Sequence, residues 1–176
     1  MLRFLLIVAL SCGALGLHAQ VPPAASDAAS ASSAPLEKEV AEIAAGSHVT
    51  VIHFWAPWCP NCRAEMTHEG WTRFIAANPD VKFVFLNIWH RGMDPAPKLK
   101  DALLGPQHNL TLLTHPNPVS KAGPERMNTF LGLPVTWLPT TWVFRDGRMR
   151  YALNYGEVRF EMLQTLVNDS REKWSH

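Results

Sequence analysis

Two cysteines three positions apart, in Cys59-Pro60-Asn61-Cys62, stand between an apolar β-branched run and a helix-forming stretch. Residues 49–55 read Val-Thr-Val-Ile-His-Phe-Trp, apolar on both faces apart from His53, as a strand in the middle of a sheet is. Pro57 and Pro60 close this strand, and the spacing predicts a helix over 60–77. Two thiols across the first turn of a helix lie close enough to form a disulfide. The first sits where unpaired backbone N–H groups and the helix dipole stabilise a thiolate, the attacking species in thiol–disulfide exchange. Cys59 is therefore the expected nucleophile and Cys62 the resolving thiol.

Other uses of the pair fit less well. A zinc site needs two further ligands, and the chain has no second Cys-x-x-Cys and no His-x-x-x-His. A purely structural disulfide gains stability with the length of the loop it closes, and this loop is minimal. The reading is redox chemistry with no metal and no cofactor.

Around the motif, residues 81–88 (Val-Lys-Phe-Val-Phe-Leu-Asn-Ile) form a second strand expected to be buried on both faces. A helix over 36–45 precedes the first strand and stops at Gly46. The Pro-rich stretch 89–138 is expected to hold a helix over 98–104, a strand over 110–113 and a helix over 124–131. Residues 141–145 and 148–153 flank Asp146-Gly147, a hairpin signal. In the last helix Val158, Met162, Leu163, Leu166 and Val167 recur at helical spacing and predict one core-facing stripe. The whole is an α/β order with a mixed sheet between helices.

At this point a resemblance becomes specific. Phe54-Trp55-Ala56-Pro57-Trp58-Cys59-Pro60-Asn61-Cys62-Arg63-Ala64-Glu65-Met66 resembles the active-site segment of TlpA-like thioredoxins of the bacterial envelope. Leu138-Pro139-Thr140-Thr141-Trp142-Val143-Phe144-Arg145-Asp146-Gly147 resembles the same family's cis-proline loop and following hairpin. The resemblance implies a thioredoxin-like three-layer sandwich, a central mixed β-sheet flanked by helices. It also implies a cis peptide bond before Pro139, which packs against the cysteine pair, with Leu138 meeting substrate. Trp58 and Pro60 are further substrate contacts, and Trp137 flanks the same groove. Pro134 competes for the cis position, but only Pro139 is followed by Thr-Thr and a strand.

The chain departs from thioredoxin in three places. His53 stands where thioredoxin has a buried Asp, Phe85 replaces the accompanying Lys, and Thr67 occupies a position that usually holds a helix proline. The familiar carboxylate proton acceptor is thereby lost. His53 either takes that role, since imidazole titrates near neutrality, or is a core residue bonded to a backbone carbonyl. His68 lies a turn and a half past Cys62, where it either faces the motif or is an exposed polar residue of the helix.

The ends of the chain set its expected location. Met1-Leu2-Arg3, an apolar run and Leu17-His18-Ala19 make residues 1–19 a signal peptide cleaved before Gln20. Ala9-Leu10-Ser11-Cys12 offers an alternative lipidation site at Cys12. Residues 20–35, rich in Ala, Ser and Pro, form an expected flexible tether, and 36–176 a single domain. A net charge of +1 without a Lys/Arg-rich run excludes a nucleic-acid surface. The expected function is that of a periplasmic reductase of protein disulfides, with cysteine-bearing proteins as substrates and a membrane electron-donor protein as partner. Cytochrome c maturation and the preparation of copper-site cysteines are the client processes the resemblance implies. A dithiol oxidase and a Cu(I) metallochaperone of the same fold are the alternatives.

Overall fold

The computed structural model describes residues 25–67, 69–94, 108–154 and 156–174. Its framework is a five-stranded sheet in the order β3-β2-β1-β6-β7, built from β1 (Val49–Trp55), β2 (Lys82–Asn87), β3 (Leu110–Thr114), β6 (Thr140–Arg145) and β7 (Arg148–Leu153). Every residue of β1 is buried, as the apolar run predicts for a central strand. It pairs in parallel with β2, from Thr50 opposite Lys82 to Trp55 opposite Asn87, and antiparallel with β6. The β6–β7 hairpin turns through Asp146 (φ 51°) and Gly147 (φ 72°), and two positive φ values in sequence are what a tight I′ turn requires.

Alternation along β1 assigns its two faces. Thr50 and Phe54 point one way: the Thr50 hydroxyl donates to the Ile43 carbonyl of α1 (Ala25–Ala44), and the Phe54 ring packs edge-on against Phe130 and Trp142. His53 points the other way, against Trp71 and Phe85. That second face is covered by α2 (Pro60–Thr67), α3 (Gly70–Ala77) and α4 (Phe160–Arg171). The result is the expected sandwich, a mixed sheet flanked by helices.

Several elements differ from the sequence expectation. The helix expected over 36–45 begins at Ala25, so that 25–35, expected as tether, is helical with Pro35 inside it. Alanine-rich composition favours helix once a core-facing end anchors it, and Val40 and Ala44 supply that anchor. The single helix expected over 60–77 is two, with Glu69 in the left-handed region (φ 54°) between them. The break sets Gly70 directly beneath Phe160, whose ring a Cβ on Gly70 would meet at 2.2 Å.

No helix forms over 124–131. Thr129–Phe130 (β4) pairs instead with Leu133–Pro134 (β5) around Leu131 (φ 50°) and Gly132 (φ 71°), a second tight turn. In α4, Leu163 and Val167 are buried as predicted, but Met162 is 46 % exposed and Val158 precedes the helix. The expected helix over 98–104 lies outside the described residues. Among the described residues no helix is long and apolar enough to cross a membrane.

Candidate active site

Cys59 occupies the residue before α2, with Pro60 at the first helical position, where its missing N–H costs nothing. The Cys59 carbonyl accepts the Arg63 N–H at 3.0 Å, and its Sγ accepts the Cys62 N–H at 3.4 Å. The sulfur thus fills the role of a helix-capping oxygen, and negative charge on it is favoured by the helix start. Both cysteines are free thiols. A hydrogen bond from the Cys62 side chain, opposed by burial and helped by the backbone N–H groups of Cys62 and Asn61, brings the Cys59 thiol down to about 7. The same hydrogen bond and deep burial push the Cys62 thiol up. One thiol is set to ionise near neutrality while its partner holds the proton.

The Leu138–Pro139 peptide bond is cis, and Pro134 is not the cis residue. Pro139 is buried and borders a cavity of about 220 Å³ lined also by Thr141, Leu153, Val158, Arg159 and Met162. Leu138 itself is buried. Pro60 is exposed and Trp58 half-buried, and Trp137 is 52 % exposed just before the cis bond.

His53 is fully buried and bonded neither to a backbone carbonyl nor to Cys62. Its Nδ1 shares a 2.9 Å hydrogen bond with Thr141 Oγ1. Its Nε2 lies 3.2 Å from Glu65 Oε2, a close polar contact off the line of an aligned hydrogen bond. Glu65 is the residue that sequence reasoning passed over. It lies one turn beyond Cys62 on α2, its carboxylate is 1 % exposed, and each oxygen is occupied. Oε1 accepts the Val158 N–H at 2.5 Å and Oε2 the Trp71 indole N–H at 3.4 Å. Its charge raises the affinity of both thiols for their protons. The signal for it was present: a Glu three residues after the second cysteine returns to the cysteine face of the helix. His68 lies outside the described residues, and among those described no group of three or more His, Cys, Asp or Glu could hold a metal ion.

A dithiol with one thiol near neutrality, on this fold and in a chain that also carries a cis-proline, defines a thioredoxin-like thiol–disulfide oxidoreductase. The chain belongs to the thioredoxin-like domain family, whose model matches residues 36–171. Among solved structures it is similar to a secreted disulfide oxidoreductase of Mycobacterium tuberculosis homologous to E. coli DsbE, at 26 % identity and a TM-score of 0.50, covering 70 % of this chain and 82 % of that one. A secreted thiol–disulfide isomerase of Corynebacterium glutamicum shares the fold at 20 % identity and a TM-score of 0.50, covering 73 % of each chain. No curated protein matches by sequence.

Proposed function

We propose that this chain is an exported, TlpA-like reductase of protein disulfides that works through Cys59 and Cys62. The observation that carries the reading is the pair of free thiols at the start of α2, with Cys59 Sγ accepting the Cys62 N–H at 3.4 Å; the split between them, Cys59 at about 7 and Cys62 pushed up, agrees with it. A nucleophile near 7 is that of thioredoxin, a reductant, whereas strongly oxidising relatives hold theirs at roughly 3.5.

In the proposed cycle the Cys59 thiolate attacks one sulfur of a substrate disulfide, that S–S bond breaks, and the departing thiolate takes a proton from solvent. Cys62 then gives its proton to Glu65 and attacks Cys59 Sγ, displacing the second substrate sulfur as a thiolate, which is protonated in turn. The substrate gains two electrons and two protons, and the protein is left with a Cys59–Cys62 disulfide. A dithiol protein of the membrane returns the two electrons. Moving the proton from Cys62 to Glu65 avoids two negative charges in one buried space, the reason to prefer a carboxylate there over unaided loss to water. His53, between Thr141 and Glu65, is the positioning residue for that carboxylate. Pro139 and the Leu138 backbone, with Trp58 and Pro60, form the surface on which the substrate strand lies.

The proposed location is the periplasm, reached through the signal peptide in 1–19 or held there by a lipid on Cys12. Cytochrome c maturation and the preparation of copper-site cysteines are the proposed processes served. Equilibration with a thiol redox buffer tests the direction: a reduction potential near thioredoxin's, about −270 mV, is expected, and one near about −120 mV reassigns the protein to the oxidases.

A further inference from the structure

Trp58, which immediately precedes the nucleophile, carries a fixed positive charge on its ring. Its indole N–H donates to the Trp89 carbonyl at 2.6 Å, and the Arg91 guanidinium lies 4.2 Å over the ring centre. The chain reaches this position through a sharp fold: Trp89 (φ 51°), Arg91 (φ 56°) and Gly92 (φ 76°) all adopt positive φ. Left-handed conformations at two bulky residues persist only where surrounding contacts hold them. Here the contacts are visible. The Arg91 N–H donates to the Pro118 carbonyl at 3.0 Å, and its Nε donates to Ser120 Oγ at 2.9 Å. Behind it the Trp89 indole N–H donates to the Met127 carbonyl at 2.7 Å, with the Arg126 guanidinium 4.2 Å over that ring.

Among the described residues this bracing leaves Arg91 exposed with only Nε committed, and no ion pair joins it to a carboxylate. A guanidinium held flat on an indole keeps the edge with its terminal nitrogens for a planar anion, which a carboxylate matches with two parallel hydrogen bonds. Arg63, exposed on α2, adds a second positive charge to the turn that carries the nucleophile. Trp58 is the immediate neighbour of Cys59, and in an extended segment successive residues advance about 3.3 Å, so a side chain one or two positions from the reacting cysteine is displaced from it on the same scale.

We infer that this surface selects protein segments in which an Asp or Glu lies one or two residues from the cysteine, the carboxylate docking on Arg91. The inference rests on the disulfide-exchange reading of Cys59 and names the substrate class for it. The bland account, that Arg91 serves only to brace the loop, is an outcome of the test.

The probes are two synthetic peptides, each with one cysteine as its mixed disulfide with 2-mercaptoethanol, flanked in one by Asp and in the other by Lys. Each rate of reaction with the reduced full-length protein is divided by that peptide's rate with dithiothreitol, an uncharged dithiol, to remove intrinsic reactivity. The Asp peptide is expected to react about tenfold faster than the Lys peptide at low salt. The gap closes as salt screens exposed charge, a readout that needs no variant. Arg91→Glu reverses the order and Arg91→Lys keeps it. A normalised ratio near one, or a ratio unchanged in Arg91→Glu, overturns the docking inference. Bis(2-hydroxyethyl) disulfide, uncharged and small, separates the two levels: failure of the wild-type protein to reduce it overturns the exchange reading itself.

Discussion

In the interior of the protein, His53 Nε2 and Glu65 Oε2 face each other at 3.2 Å, both side chains sealed from solvent. The imidazole comes from the central strand and the carboxylate from the helix that carries the cysteines, so the contact joins sheet to active-site helix. A buried carboxylate needs partners for its oxygens, and here they are a main-chain N–H and an indole N–H, with this imidazole in close polar contact. The chain therefore has a carboxylate below its dithiol after all, supplied by the helix and not by the strand.

Removing that carboxylate separates its two effects. Glu65→Gln is expected to slow release from the mixed disulfide by about a hundredfold, the usual scale for losing a group that takes the proton. It should also move the half-point of Cys59 alkylation slightly to the acid side, because the negative charge that raises the thiol is gone. Single-turnover release and the pH profile of iodoacetamide labelling measure the two. An unchanged release rate removes Glu65 from the cycle.

The His53 variant tests positioning. His53→Asn keeps a hydrogen-bonding side chain opposite Thr141 but no longer orients Glu65. Release from the mixed disulfide should slow by about tenfold, less than for a group that itself takes the proton. First attack by Cys59 should stay near its wild-type rate. Superimposable pH profiles for the two proteins would make His53 a core residue only.

Labelling of the reduced protein follows from the thiol split. Cys59 alkylation should rise through pH 7 as its thiolate forms, while Cys62 stays protonated and silent across the neutral range. The linkage has a definite sign: a thiol lowered on folding contributes stability above its unfolded value of about 8.5, lost as pH falls through about 7. Cys62→Ser should trap mixed disulfides and Cys59→Ser should not. Mass spectrometry of trapped species decides, and equal labelling of both thiols contradicts the assignment.

Gly70→Ala tests the packing that ends α2. The new Cβ would meet the Phe160 ring at 2.2 Å, so α4 must shift or the side chain must turn. Overpacking of this kind costs about 1–3 kcal/mol, readable as an earlier urea midpoint. Phe160→Leu in the same chain should recover part of the loss, and additive losses would show that the two positions do not interact.

Export has its own measurement. The protein recovered from the cell envelope should begin at Gln20, by intact mass or N-terminal sequencing. A mass corresponding to lipidated Cys12 would select the anchored form. A stable full-length chain in the cytoplasm refutes both.

The parts of this molecule that were readable in its sequence are those set by local pattern. β1 and β2 announce themselves by apolar runs, the β6–β7 hairpin by Asp146-Gly147, and the helix that begins at the Cys59–Cys62 pair by its place at a strand-to-helix junction. Other features depend on contacts far along the chain. The break at Glu69 answers to Phe160, and the β4–β5 turn to a pairing of Phe130 with Leu133 that helical propensity over 124–131 obscures. The spacing of Glu65 from Cys62 places it on the cysteine face of the helix, but its burial shows only once Trp71, His53 and the Val158 amide are placed around it. Burial of a charged group is a property of its neighbours, and these come from three other segments.

The Val158 amide gives this arrangement a temporal side. Both cysteines, the cis-proline and the whole central sheet lie within the first 153 residues, yet a clamp on the Glu65 carboxylate comes from the segment leading into the last helix. A chain emerging from its N-terminus displays the reactive pair before the group that fixes its carboxylate has been made. Maturity of the site is therefore signalled from the far end of the polypeptide: the dithiol acquires its full surroundings only when the final helix docks and Phe160 settles over Gly70.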